Sequence, residues 1–329
     1  MHRHLSRRLL AGSALAALAC PFVATAQTPA WSPDRPVRLL VGFPAGGVTD
    51  VIARVTAEGM TKALGQPVIV DNRPGAAGNI AAQQLAQMPA NGSTLLMTTN
   101  GSHGANPTLY TSLGFDPIRD NTPIAMLASV TNVLVVHPSV AANTVQELVD
   151  LAKAQPGRLN FASASSGSAG HLIGEMFKTR LGLDITHVPY RGAAPAQADI
   201  LAGRVEMLFG TLQTVLESVR AGQLRALAVT ARARVPSLPD VPTLAETVMP
   251  GFSADAWFAL IGPPGMPDPM VARFQAAAAT GLADPVLRER LTQQGVSVEV
   301  GTAAELRDLL PQEIAKWGAA VRLSGARAD

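Results

Sequence analysis

From Val37 onward the sequence keeps switching between two periods: short apolar runs bounded by turn residues, and longer stretches with helical spacing. PVRLLVGF, PVIVDN and STLLMTT read as strands, and residues 50–64 and 78–87 between them read as helices. Apolar runs this short, with turns on both sides, mark strands buried on both faces, as in parallel sheets covered by helices. PIAMLAS and NVLVVHP follow in extended form, and the alternation then restarts. A helix over 144–154 is followed by LNFASAS, a helix over 171–181, ITHVPY and a helix over 195–202. VEMLFG, a helix over 215–221 and LRALAVTA complete the series. Thr144, with Glu147 three residues on, reads as a capping box. Two βαβ series joined by strand-like passages predict an α/β chain of two lobes, each a mostly parallel sheet flanked by helices. The 329 residues are ample for two cores.

Between 233 and 252, Pro236, Pro239, Pro242 and Pro250 exclude a helix and predict a surface connection. DAWFALIGP then reads as another buried strand, followed by two or three helices, with a break expected at Pro311 where a new helix would start. A late strand returning to the first lobe makes that lobe discontinuous: 27–129 and 254–329 in one lobe, 130–253 in the other. PIAMLASVTN and the stretch before Trp257 become the crossing strands, and Trp257 is expected in the interlobe core rather than against a ligand.

The opening residues are of another kind. MHRHLSRRLL is a basic head, LLAGSALAALACPFV an apolar stretch and Ala24-Thr25-Ala26 an A-x-A cleavage site. Residues 1–26 therefore read as an export signal cleaved near Ala26, and the mature chain as periplasmic. Gly12, Ser13 and Pro21 interrupt the apolar run, which falls short of the roughly 20 residues of a membrane-spanning helix. Ser6-Arg7-Arg8 matches the opening of a twin-arginine signal while Leu10 and Gly12 depart from it, so both Sec and twin-arginine export stay open. Cys20 has a faint lipobox setting but lies in the removed segment, leaving a mature chain without thiol or disulfide chemistry. The same segment holds Arg3, Arg7 and Arg8 and no acid; without it 23 basic residues face 24 acidic ones. The pI near 9.0 is thus no sign of a nucleic-acid partner. At 4% aromatic content, base- or sugar-stacking surfaces are not indicated either.

Two loops carry the functional signal. Phe43-Pro44-Ala45-Gly46-Gly47-Val48-Thr49-Asp50 joins the first strand to the first helix, where glycines let the backbone approach a ligand and the helix start presents N–H groups. The bland alternative is a tight turn with Thr49 or Asp50 as N-cap. Ser165-Ser166-Gly167-Ser168-Ala169-Gly170 repeats the design in the second lobe. Two small uncharged loops, each at a helix start, fit an anion held by backbone dipoles, each charge-assisted bond contributing about 1.5–3 kcal/mol. Other chemistries fit poorly. GFPAGG lacks the middle glycine of a dinucleotide fingerprint, although Asp71 ends the second strand where a ribose-binding acid would sit. Ser168 occupies a nucleophile-elbow corner but has Ser166 where glycine is required, and no histidine follows His187 to complete a triad. His103, His137, His171 and His187 lack metal-ligand spacing.

The ordered set RPVRLLVGFPAGGVTDVIAR, VDNRPGAAGNIAA, SSGSAGHL, VPYRGAAPAQADILAGRVEMLF, LRALAVTARARVPSLPDVPTLAE and AWFALIGPPGMP resembles the Bug-type periplasmic solute receptors of tripartite tricarboxylate transport systems. The similarity runs over essentially the whole mature chain. It implies a two-lobed, type II periplasmic binding-protein (Venus-flytrap) fold that closes around a small organic acid and delivers it to membrane permease subunits. No catalysis, cofactor or metal is implied, and a monomer is expected. By position, one jaw falls to Phe43, Ala45, Gly46, Gly47 and Asp50, and the facing jaw to Ser166, Gly167, Ser168 and Ala169. The far end of the ligand would meet Asn100, Gly101 and Ser102, then Tyr190, Arg191 and Gly192, and the helix start at 194–199. Members commonly carry an acid after the M-F of the VEMLF segment; here Gly210-Thr211 stands, which favours a simple organic acid over an amino acid. The family's T-S-S-T-H stretch reads Thr99-Asn100-Gly101-Ser102-His103, removing hydroxyls at the distal end. Two other readings remain open at this stage: a sensory receptor built on the same clamp, and a serine hydrolase built on Ser168.

Overall fold

The computed structural model describes residues 31–190 and 192–328. The expected export signal and Arg191 lie outside the described residues. The strands, in chain order, are β1 (Val37–Val41), β2 (Val68–Asn72), β3 (Thr94–Thr99), β4 (Thr122–Val130), β5 (Asn132–Val136) and β6 (Asn160–Ser163). They continue as β7 (Thr186–Pro189), β8 (Met207–Thr211), β9 (Arg225–Val229), β10 (Ala256–Gly262) and β11 (Val296–Val298). The helices are α1 (Val48–Leu64), α2 (Asn79–Ala86), α3 (Asn106–Leu109), α4 (Val145–Ala154) and α5 (Ala169–Leu181). After them come α6 (Ala193–Leu201), α7 (Leu212–Arg220), α8 (Asp268–Leu282), α9 (Pro285–Thr292) and α10 (Ala303–Ser324).

The strands form a six-stranded sheet in the order β11-β4-β10-β3-β1-β2 and a five-stranded sheet in the order β7-β6-β8-β5-β9. Each sheet is built on one plan. β1, β2, β3 and β4 point one way, with β10 inserted antiparallel between β3 and β4. β6, β7, β8 and β9 point one way, with β5 inserted antiparallel between β8 and β9. The reversed strand is in each case the one the chain enters on crossing from the other sheet. A strand arriving from the partner sheet runs away from the gap between them, whereas the βαβ strands run toward it. The expectation of mostly parallel sheets therefore holds for strand direction, while the inserted strands and β11 make the pairing mixed.

Apolar residues from both faces of the strands fill the cores, as the continuous apolar runs require. Leu39, Ile52, Met60 and Phe274 sit in one; Leu134, Phe161, Phe177 and Phe209 in the other. Trp257 packs with Leu40, Leu306 and Leu310 in the core of the six-stranded sheet and also lines a groove shared with Arg232 and Val235 of the 130–253 segment. The proline-rich stretch before Phe252 is irregular, as expected, but it is no mere surface connection: Val235, Leu238, Leu244 and Met249 are buried and pack into the cores around the five-stranded sheet.

Two local expectations are corrected. Thr144 caps α4 by accepting the Glu147 N–H at 3.1 Å, but the Glu147 carboxylate takes the Asn143 N–H at 2.6 Å, one residue beyond the capping-box partner. The complete box belongs to Thr302 and Glu305 at the start of α10. No helix break occurs at Pro311, and α10 runs through it. Pro311 and Arg307 lie on the solvent face, so the carbonyl deprived of its N–H partner meets water, while Leu306, Leu310, Glu313 and Trp317 hold the opposite face. Pro311→Ala is expected to stabilise the fold by about 1–2 kcal/mol, the regained hydrogen bond outweighing the lost rigidity of the unfolded chain. Urea unfolding checks it, and an unchanged midpoint would contradict it.

Candidate functional site

Because the parallel strands of both sheets end at the gap between them, the segments that follow β1, β3 and β6 meet there. They enclose a cavity of about 380 Å³. Phe43, Val48 and Thr49 line it from one side; Ser165, Ser166, Gly167, Ser168 and Ala169 line it from the other. Thr99, Asn100 and Gly101 close a third wall, and Leu109, Leu172, Phe258 and Trp317 contribute apolar surface. No charged side chain is among these described lining residues.

Gly46 has a φ of 84°, a conformation that glycine adopts without a side-chain clash, and Gly47 is the N-cap of α1 with no side-chain cap bond. Ala45, Gly46 and Gly47 are all exposed and are not among the residues lining the cavity, to which this segment contributes Phe43, Val48 and Thr49. Behind them Asp50 is buried, and its carboxylate accepts the Gly46 N–H at 2.9 Å, Arg54 Nε at 2.9 Å and Asn72 Nδ2 at 2.9 Å. Burial alone would raise the Asp50 pKa, but Arg54, the Gly46 N–H and Asn72 outweigh it and hold the group below the usual carboxylate range. Asn72 also donates to the Phe43 carbonyl at 3.1 Å. Asp50 thus braces the loop from behind and does not line the cavity.

The second loop has the same plan. Gly167 has a φ of 77°, and Ser168 is the N-cap of α5 but makes no cap bond, its hydroxyl donating instead to the Ser165 carbonyl at 2.7 Å. The Gly167 N–H donates to His171 Nδ1 at 2.9 Å, so that nitrogen carries no proton and the neutral ring holds its hydrogen on Nε2. Burial pushes the His171 pKa down to about 4. The ring stacks on His187 with centroids 3.8 Å apart, and Ser163 Oγ lies 2.7 Å from His187 Nε2. Ser163 already gives its proton to the Ser165 carbonyl, so His187 is the donor in that pair.

The remaining candidates divide. Asn100 reaches the cavity; Ser102 is buried and spends its hydroxyl within reach of Thr98, Thr99 and His103. Tyr190 and Gly192 are tied to the second loop through N–H bonds to the Ser163 and Ala164 carbonyls, but they stand outside the cavity wall. The Tyr190 hydroxyl donates to Asp199 at 2.8 Å. At Gly210 a Cβ would lie 2.6 Å from Val215, which leaves no room for an acid. Sequence reasoning passed over Asn106, Leu109, Tyr110 and Trp317. Asn106 donates to the Ala77 carbonyl at 3.1 Å and to Asn79 Oδ1 at 2.6 Å. This anchors a turn in which Ala76 and Ala77 adopt φ values of 44° and 50°. HGANPTLY carries no motif that would have flagged it, and Trp317 arrives from a helix over 200 residues downstream of the strand whose end it covers.

The family model for tripartite tricarboxylate transporter family receptors matches residues 52–325. The chain belongs to this receptor family. Three solved structures are similar over nearly their full length. The adipate-bound R. palustris protein Rpa4515 is 36% identical with a TM-score of 0.74, covering 90% of this chain and 99% of its own. The periplasmic binding protein BugD is 33% identical with a TM-score of 0.70, covering 90% and 100%. MatC from Rhodopseudomonas palustris with bound malate is 33% identical with a TM-score of 0.70, covering 88% and 99%. The receptor is a periplasmic-binding-protein fold and not an enzyme, and the hydrolase reading of Ser168 falls with that assignment. The Ser168 hydroxyl is committed to a carbonyl, and the adjacent His171 nitrogen to the Gly167 amide.

In this receptor the chain crosses between sheets at Thr131 and again between Thr230 and Asp255. Asp255 Oδ1 accepts both threonine hydroxyls, at 2.8 and 3.0 Å, and burial raises its pKa against the opposing pull of those hydroxyls and Lys316. A larger groove, about 1010 Å³, opens on the other side of these crossings, with Met126, Arg232, Asp255 and Glu299 among its lining. Neither glycine loop reaches it, so the smaller cavity is the candidate site.

Proposed function

We propose that this receptor binds a small organic carboxylate in the 380 Å³ cavity and hands it to the membrane subunits of a tripartite tricarboxylate transporter. One observation carries the reading: two helix starts without side-chain caps, one from each sheet, face the same cavity, and no charged side chain lines it among the described residues. Uncapped first-turn N–H groups carry partial positive charge and bind anions without a cationic side chain. The relatives that hold adipate and malate support a carboxylate as the guest. In this reading the backbone of Phe43, Ala45, Gly46 and Gly47 grips one side of the carboxylate, Ser166–Ala169 the other, and the Asn100 amide meets the body of the ligand.

The lobes correspond to 27–129 with 254–329, and to 130–253, hinged at the crossings. The receptor works as a monomer in the periplasm, exported by the Sec or twin-arginine route and cleaved near Ala26. Mature protein is expected to gain about 2.7 kcal/mol of stability at a hundredfold excess of ligand over its dissociation constant. Thermal shift with adipate, malate and an aromatic monocarboxylate tests this, together with the mass of any molecule that co-purifies under native conditions. A co-purified ligand without a carboxylate would overturn the proposal.

A further inference from the structure

The two jaws share a brace. In each, the glycine with positive φ precedes the N-cap and donates its N–H to the side chain four residues on, at the third position of the helix: Gly46 to Asp50, and Gly167 to His171, both at 2.9 Å. Helices α4 and α10 start differently. There Thr144 and Thr302 bond the first-turn amides of Glu147 and Glu305, and neither helix opens on the cavity. In α1 and α5 the brace is present and the cap is absent, although Ser168 has a hydroxyl that could supply one; α6, α7 and α8 lack a side-chain cap too, so it is the brace that sets the two jaws apart. The brace fixes the left-handed glycine and the loop tip while the first-turn amides stay unspent. The negative charge this places behind the first jaw is met by Arg54 at 2.9 Å, so that jaw keeps the field of its helix.

We propose that Asp50 and His171 are paired positioning residues that hold the two helix starts open for the ligand, and that the second brace works only while His171 is neutral. A protonated ring has a hydrogen on Nδ1 and cannot accept the Gly167 N–H. The groups around the ring keep it neutral. His187 stacks on it and is itself pushed down to about 4, by burial first and then by His171 and Lys178. Phe161 of β6 lies beyond, its ring centroid 6.5 Å from that of His171. Glu175 is 4.0 Å from Nε2, with its pKa raised by burial against the pull of Lys178, which leaves it a weak attractor for a proton on the imidazole. Acid therefore releases the second jaw while Asp50, held ionised by Arg54, keeps the first. What the jaws hold rests on the function proposed above; the braces themselves do not.

The experiment is amide exchange at Gly46 and Gly167, followed by NMR of glycine-labelled mature protein between pH 6 and pH 4, in wild type, His171→Asn and His171→Phe. In wild type the protection of Gly167 is expected to fall about tenfold relative to Gly46 as the pH drops, the worth of one hydrogen bond. His171→Asn keeps an acceptor without a titrating proton, so Gly167 should stay protected across the range. His171→Phe should lose the protection at every pH. Equal Gly167 protection in wild type and His171→Phe, or a wild-type pH profile matched by His171→Asn, overturns the proposal. Should His171→Phe fail to fold, the wild-type and His171→Asn profiles decide alone. Adipate titration of the same samples separates the two readings: no response from wild type counts against the carboxylate function, while the exchange profile still decides the brace.

Discussion

Replacing Glu313 by alanine is expected to lower the stability of the receptor by about 3 kcal/mol, among the largest losses available from one side chain. Glu313 is 5% exposed, and its Oε2 accepts the indole N–H of Trp257 at 2.8 Å and that of Trp317 at 2.7 Å. Its Oε1 pairs with Lys316, whose ammonium also donates to the Ser253 carbonyl just ahead of the second crossing. Removing the carboxylate strands two buried donors and a half-buried cation at once, and each buried donor left unmade costs about 1–3 kcal/mol. Lys316 retains partial access to water, which keeps the estimate at the low end of the range for broken buried pairs. Glu313→Gln keeps an oxygen for the indoles and should lose clearly less. Urea unfolding followed by fluorescence measures both, since Trp257 and Trp317 are two of the three tryptophans in the chain. A Glu313→Ala midpoint equal to wild type would show that this node does not hold α10 in place.

That node also marks where sequence reading ends. The βαβ series was legible because buried parallel strands must be short, apolar and bounded by turns, and β1, β3, β6 and β8 obey that rule. The two glycine loops were legible because a strand running straight into a helix leaves few residue types able to turn there. By contrast, the glutamate that binds two tryptophans sits at position 313 in a helix whose pattern is ordinary, and nothing local distinguishes it from a solvated acid. The same holds for Asp50. Its place in the first turn of a helix beside the glycine pair suggests a ligand contact, but the left-handed glycine directs its N–H backward, and the carboxylate follows it. Ser102 is another case: its hydroxyl is spent on the backbone and on Thr98 because the turn after β3 is too tight to present it outward. Pro311 departs from the expected break because the rule for proline in helices presumes a buried or unsupported backbone, and here the orphaned carbonyl faces water.

Gly46→Val is expected to weaken carboxylate binding about a hundredfold, or 2.7 kcal/mol, while costing the fold only about 1 kcal/mol. The two effects separate because of where the strain falls. A Cβ at Gly46 would meet no atom within 4 Å, so no packing is lost, and the loop is exposed. The backbone is another matter: φ of 84° is disfavoured for any L residue and most of all for a β-branched one, so the peptide is driven toward negative φ. That swings the Gly46 N–H off Asp50 and turns the loop tip, along with the amides that lead into α1. The jaw then presents its dipoles in the wrong direction while the rest of the helix stays in place. Gly42 provides the contrast. A Cβ there would lie 2.6 Å from the Gly78 backbone, so Gly42→Val should destabilise the fold itself rather than the binding step alone. Isothermal titration with a carboxylate that binds wild type, beside urea unfolding of both variants, distinguishes the cases. Full affinity in a folded Gly46→Val protein would mean that the first loop does not grip the ligand, and the two-jaw arrangement would have to be abandoned.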